Sequence, residues 1–182
     1  MNDEPLIYRE ADRRIIEVRA SSMPGLFDCA YRWEYIYIDG HRGNVSGRMS
    51  LGTAIHKSTV TFDQARMRGA PIKPDDAAGV LVDHLNDPGE RVQWDAHDIT
   101  RREAEAIGLA LHGKYCTHFS PQYSFAAVEL NLGALDIEVP EQGATVRIKG
   151  TLDRSRARFG ERGGVGITDL KSGKNAVTKP KG

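Results

Sequence analysis

Asp169-Leu170-Lys171 sets a carboxylate and an ammonium two residues apart. On a β-strand, residues two apart share a face, so both groups would project together just before Ser172-Gly173. A carboxylate is a hard oxygen ligand suited to Mg²⁺. A lysine beside it can orient an attacking water or neutralise charge developing on a phosphoryl group. Taken alone, the pair is more simply an exposed ion pair on a strand. Asp153 changes the balance. It ends the preceding predicted strand on its polar face, and a turn over 160–164 leads to the strand bearing Asp169. In a hairpin the two carboxylates would lie at neighbouring positions, where a cation relieves their repulsion. Pairing of Asp153 with Arg154 or Arg156 accounts for it equally well. Glu129 interrupts an apolar strand on the face opposite Val128 and Leu130, as a metal-site group or simply as a solvent-facing residue. His56 follows Gly52-Thr53-Ala54-Ile55 on a helix, and a lone helical histidine is usually a hydrogen-bonded structural residue.

The elements that must position these residues can be read from periodicity and capping signals. Residues 10–19 suit a strand or a helix. Ser21-Ser22-Met23-Pro24 opens a helix running through Leu26, Phe27, Ala30, Trp33 and Tyr37 to Asp39-Gly40. Residues 40–50 read as a loop. A second helix spans about 51–68, with Leu51, Ala54, Ile55, Phe62 and Ala65 on one stripe. Pro74-Asp75-Asp76 opens a third, closed by Asn86-Asp87-Pro88-Gly89. A fourth runs from Thr100 to Phe119 with Ile107, Leu111, Tyr115 and Phe119 as its core stripe. After Pro121 the period changes to two. Strands are expected over 125–132, with Val128, Leu130 and Leu132 on one face, over 145–153 and over 165–171. Helices followed by hairpin-connected strands predict an α+β fold with a small, mainly antiparallel sheet.

The chain has 182 residues with a 40% apolar share, in the range of one folded domain. The expected organisation is a single domain over 1–182: a helical part (1–120), a strand part bearing the site (121–174) and a basic tail (175–182). No apolar run approaches the ~18 residues of a membrane span, and the acidic N-terminus lacks the order of a secretory signal. Two cysteines are too few for a disulfide framework, so a cytoplasmic protein is expected. The 25 basic and 25 acidic side chains cancel, but residues 145–182 carry ten basic and three acidic ones. Such a segment suits a phosphate backbone, or is simply a solvated basic face.

The order of the pieces resembles the RecB-like exonuclease branch of the PD-(D/E)XK nuclease superfamily. Its pattern is a Gly-x-x-x-His helix, a strand Glu, Gly150-Thr151-Leu152-Asp153, then Asp169-Leu170-Lys171-Ser172-Gly173-Lys174. Upstream, Ser22-Met23-Pro24 through Cys29-Ala30-Tyr31-Arg32-Trp33 is similar to the branch's first helix, and the resemblance covers about 21–174. It implies a restriction-endonuclease-like core and metal-dependent hydrolysis of DNA with Mg²⁺ or Mn²⁺. It implies His56, Asp153, Asp169 and the Leu170 carbonyl as metal ligands, Lys171 as the catalytic lysine and Glu129 as an acidic active-site residue. Arg154, Arg156 and Lys174 would then meet the DNA backbone. Trp33, Tyr35 and Tyr37 could stack bases, though helical spacing suits core or rim aromatics better.

Three departures bear on the resemblance. Ala30 stands where the branch has proline. Some relatives, CRISPR-associated exonucleases among them, hold a [4Fe–4S] cluster with four cysteines; here only Cys29 is placed for one, so no cluster is expected and Cys29 reads as a buried free thiol. The branch continues past its Asp-x-Lys strand with a Gln-x-x-x-Tyr helix and another strand, so a truncated or fragmentary chain is expected. Three readings follow: a metal-dependent DNA exonuclease or its N-terminal part, a DNA-binding module without catalysis, or a fragment completed by a partner segment. A helicase or recombination protein is a candidate partner. The chain has no phosphate-loop motif of its own.

Overall fold

Hydroxyl and thiol caps mark where three of the described α-helices begin. The computed structural model describes residues 6–157 and 164–170. The chain forms two units, Met1–Gly43 with Asn131–Leu152, and Asn44–Leu130 with Asp153–Gly182. The class is α+β, with five α-helices and a mixed sheet among the described residues.

In the first unit, residues 7–19 form an antiparallel pair, β1 (Ile7–Glu10) and β2 (Arg13–Arg19), which decides between strand and helix there. Ile15 and Val18 of β2 are buried. The helix expected over 23–37 is two helices, α1 (Met23–Asp28) and α2 (Ala30–Tyr37), broken at an extended Cys29. The Cys29 sulfur accepts from the Arg32 backbone N–H at 3.5 Å, satisfying a free donor at the start of α2. Cys29 is therefore an exposed cap and not the buried thiol expected of it. Trp33 is buried, with the Tyr37 ring 5.3 Å away.

Two long strands, β5 (Phe125–Val139) and β6 (Ala144–Ala157), supply residues to both units. Strand order is β1-β2-β6-β5, with β7 (Val165–Thr168) also on β6. β2 runs parallel to β6, Arg14 facing Ala144 through Arg19 facing Lys149, so the sheet is more mixed than a chain of hairpins would make it. Two basic side chains of β6 are paired within the sheet. Arg147 forks onto Asp136 through two bonds of 2.8 Å and reaches Glu10 at 2.8 Å. Lys149 meets Glu17 at 2.5 Å. Part of the C-terminal basic excess is thus neutralised within the sheet.

In the second unit, Ser46 of the two-residue strand β3 (Val45–Ser46) caps α3 (Gly47–Met67), its hydroxyl accepting from the Met49 N–H at 3.3 Å. The helix therefore begins inside the expected loop. A glycine is required there, because a Cβ at Gly47 would lie 2.7 Å from the Trp94 ring and 2.9 Å from Ile99. Gly47→Ala is expected to cost about 1–3 kcal/mol by overpacking, read as a lower urea midpoint with an unchanged slope. α4 (Pro74–Asn86) follows its capping signals. The strand β4 (Val92–Gln93) pairs with β3.

Thr100 caps α5 (Arg101–Lys114), and a π-helical turn, Tyr115–Phe119, continues it. The buried face of α5 is Ala104, Gly108 and His112, whereas Ile107 and Leu111 are 44% and 39% exposed. The expected apolar stripe is displaced by one position at Ile107 and Leu111, while Tyr115 is buried as expected and Phe119 packs against its cluster. Gly108 lets Leu81 and Leu51 approach within 3.0 and 3.1 Å of where its Cβ would stand. His112 is satisfied in the interior by Ser58 Oγ at 2.9 Å and the Pro74 carbonyl at 3.0 Å. Close helix approach and a paired histidine outweigh the hydrophobicity of Ile107 and Leu111. Leu51, Ala54 and Ile55 of α3 join Leu81, Leu85, Ile99 and Ala104 in one core cluster; Phe62, Ala77, Tyr115 and Cys116 form another. Each fully buried large aliphatic contributes about 1.5–3 kcal/mol.

Candidate metal centre

α3 presents His56 on the same side as Thr59 and Asp63, spaced three and four residues apart. His56 Nε2 lies 2.8 Å from Glu129 Oε1. Its Nδ1 lies 3.7 Å from Asp153 Oδ2. One ligand atom from each of His56, Glu129 and Asp153 falls within 4.8 Å of the others. The three side chains are 32%, 33% and 28% exposed, so the cluster is sheltered yet open to solutes.

Glu129 reaches this position by a backbone exception. Its φ is 56°, in the left-handed region, where a non-glycine residue costs about 1–3 kcal/mol. The strand alternation breaks there: Val128 is buried, but Leu130 and Leu132 are 44% and 63% exposed. The single apolar face expected for Val128, Leu130 and Leu132 is therefore absent, because the left-handed residue re-aims the chain.

Asp153 and Asp169 come together beside the antiparallel pair of β6 and β7; most of the turn expected over 160–164 lies outside the described residues. β6 and β7 are antiparallel, with Arg154 facing Thr168 and Ser155 facing Ile167. Just beyond these paired residues, the Asp153 and Asp169 side chains share a hydrogen bond. Leu170 packs its side chain against both core clusters, anchoring the chain next to Asp169. Lys171 and Lys174 lie outside the described residues.

Burial pushes the Asp153 carboxyl above its ordinary range. The His56 charge opposes that shift; the hydrogen bond and charge of Asp169, and the charge of Glu129, add to it. Glu129 and Asp153 flank one imidazole and Asp169 adjoins Asp153, so the carboxylates repel one another and a divalent cation is the natural relief. Oxygen donors suit Mg²⁺ and Mn²⁺, and the imidazole adds affinity for a transition ion. The donor set thus fits a divalent metal, with His56, Glu129, Asp153 and Asp169 available to hold it. A bound ion would supply Lewis-acid activation of water and a clamp on phosphoryl oxygens.

Metal and proton compete for Asp153. Its raised pKa means the folded chain retains that proton to a higher pH than an unfolded carboxyl would. Affinity for Mn²⁺ is therefore expected to fall as the pH drops through a range lying above that of an ordinary aspartate. Calorimetric titrations at falling pH check this; an affinity that falls only at the pH of an ordinary aspartate would contradict the shift.

Arg154 does not face solvent. Its side chain is wholly buried and bonds Asp63 Oδ2 through Nε at 2.7 Å and Thr59 Oγ1 through Nη2 at 2.9 Å, so the expected contact with a DNA backbone is corrected. The reason is a preformed acceptor site: Asp63, also wholly buried, takes Tyr115 Oη and Ser120 Oγ at 2.5 Å each. Arg156 holds its guanidinium 5.0 Å from the Tyr123 ring centroid. Sequence reading missed Asp63, Thr59 and Tyr115. The available signal was an aspartate seven residues after His56 on one helix side.

A model of the PD-(D/E)XK nuclease superfamily matches residues 20–181. The chain belongs to that superfamily. Membership implies nuclease, that is hydrolase, activity and use of divalent metal ions. No curated protein matches the chain. No helix among the described residues is long and apolar enough to cross a membrane.

Proposed function

We propose that the chain is a metal-dependent DNA exonuclease of the RecB-like branch. The observation that carries this reading is the convergence of His56, Glu129 and Asp153, with Asp169 hydrogen-bonded to Asp153. In this reading His56, Asp153, Asp169 and the Leu170 carbonyl hold Mg²⁺ or Mn²⁺, and Lys171 serves the reacting water or the developing phosphoryl charge. Glu129, bonded to His56, fixes the imidazole and offers a further carboxylate to the site. Arg156 and Lys174 are the remaining candidates for DNA-backbone contacts.

The experiment sets linear duplex against covalently closed circular DNA, each with Mn²⁺. Progressive shortening of the linear DNA with survival of the circle is expected. Nicking or linearisation of the circle would overturn the exonuclease assignment while leaving a nuclease.

A second reading rests on β5, at one end of the strand order among the described residues, along which Leu132, Leu135 and Ile137 are 63%, 61% and 46% exposed. Exposed apolar side chains on an end strand invite strand addition, so a segment from another chain would complete the sheet. Cleavage only after a partner segment is added would favour it.

A further inference from the structure

One buried guanidinium links the two elements that carry His56 and Asp153. Arg154 follows Asp153 directly on β6. Its Nη2 donates to Thr59 Oγ1 at 2.9 Å, and the same hydroxyl donates to the backbone carbonyl of His56 at 3.0 Å. Its Nε donates to Asp63 Oδ2 at 2.7 Å. Arg154, Thr59 and Asp63 are all wholly buried. The guanidinium also stands 5.3 Å from the Tyr115 ring centroid, and the Tyr115 hydroxyl donates to the Asp63 oxygen that receives Arg154. The planar fork thus grips α3 at two points one turn apart, and one grip relays to the peptide bearing His56.

We propose that Arg154 and Thr59 are positioning residues that set the separation of His56 from Asp153 for metal binding. This rests on the reading of His56 and Asp153 as ligands. The buried charge is costly to desolvate, and a hydrophobic pair would serve packing at least as well. What the ion pair adds is register. A slide or roll of α3 against β6 would break two directional bonds in a dry site, where neither could be replaced by water. Distance errors between ligands are what a metal site tolerates least, and supporting shells exist to prevent them.

The test measures Mn²⁺ affinity from the free-ion electron paramagnetic resonance signal, without any nuclease assay. Four chains are compared: wild type, Asp153→Asn, Thr59→Val and Thr59→Ser, each checked for native far-UV circular dichroism. Thr59→Val is isosteric and leaves the Arg154–Asp63 pair in place, so a folded chain is expected. Its Mn²⁺ affinity should fall about tenfold or more. Thr59→Ser restores the hydroxyl and should return affinity to within about twofold of wild type, because the relay needs only the hydroxyl. A purely structural Thr59 would lower the melting temperature and leave affinity alone.

Wild-type affinity in Thr59→Val, with binding lost in Asp153→Asn, would overturn the positioning role and keep the metal site. Equal losses in Thr59→Val and Thr59→Ser would also overturn it, because packing would then be the cause. A wild-type chain that binds no Mn²⁺, or an Asp153→Asn chain that binds it equally, would overturn the ligand reading and this inference with it. Should Thr59→Val not fold, Arg154→Lys takes its place: a single ammonium keeps the charge beside Asp63 and loses the fork. The same loss of affinity is expected, and wild-type affinity there would overturn the proposal.

Discussion

Asp153→Asn is expected to cut cleavage of linear DNA by at least about 100-fold, since even outer partners of a metal site are worth 10–100-fold. The same substitution should leave the metal-free fold as stable as before, or more so. The sign follows from the environment of Asp153. Burial, Asp169 and Glu129 hold its pKa above the ordinary value, so the ionised form is disfavoured by folding near neutral pH. Its protonated form contributes stability that is complete below the unfolded pKa and is lost as pH rises through the folded one. Asn has the shape of that neutral form and removes the repulsion at every pH. Loss of activity together with an equal or higher urea midpoint near neutral pH is therefore the signature of a ligand kept at the expense of stability. A fall in both together would identify Asp153 as a structural residue instead.

Asp63→Ala is expected to destabilise the fold by about 3–5 kcal/mol, the cost of leaving one member of a buried ion pair uncompensated. Three donors lose their acceptor at once: the Arg154 guanidinium, the Tyr115 hydroxyl and the Ser120 hydroxyl. Arg154 has nowhere to carry its charge, because its side chain is wholly buried and Nη1 finds no partner among the described residues. The paired replacement Asp63→Leu with Arg154→Met removes the stranded charge and should recover much of that loss. Urea unfolding of the two single variants and the double one measures this. Additive losses in the double variant would show that the two charges do not depend on each other.

The candidate site was more legible in the sequence than the packing behind it. Asp153, Asp169 and His56 stood out because each is a ligand type set in a recognisable local pattern, and the two aspartates meet at the end of the β6–β7 pairing. Glu129 was legible as an acid in an apolar strand, but its left-handed backbone was not, since that conformation is imposed by tertiary context and not by residue type. Arg154 was misread for a related reason. Charge counts treat an arginine as a surface group, and only the fold reveals that Asp63 waits for it in the interior. Helix starts with a clear signal, the proline at Pro74 and the hydroxyl cap at Thr100, were readable to within a residue. The break at Cys29 was missed because a thiol is a weak acceptor and an uncommon cap. The buried face of α5 was missed because Gly108 and His112 carry no apolar signal, although close approach and paired hydrogen bonds put them inside. The parallel pairing of β2 with β6 joins segments more than a hundred residues apart, and no local pattern announces it.

The central claim is that this chain hydrolyses DNA through a metal held by the His56–Asp153–Asp169 cluster, with Lys171 as its catalytic partner. The most direct measurement is degradation of end-labelled linear DNA with Mn²⁺, with and without EDTA, beside Lys171→Ala. Cleavage that needs Mn²⁺, stops with EDTA and is lost in Lys171→Ala while Mn²⁺ binding persists is the predicted result. Cleavage that survives EDTA, or that proceeds equally in Lys171→Ala, would contradict the account.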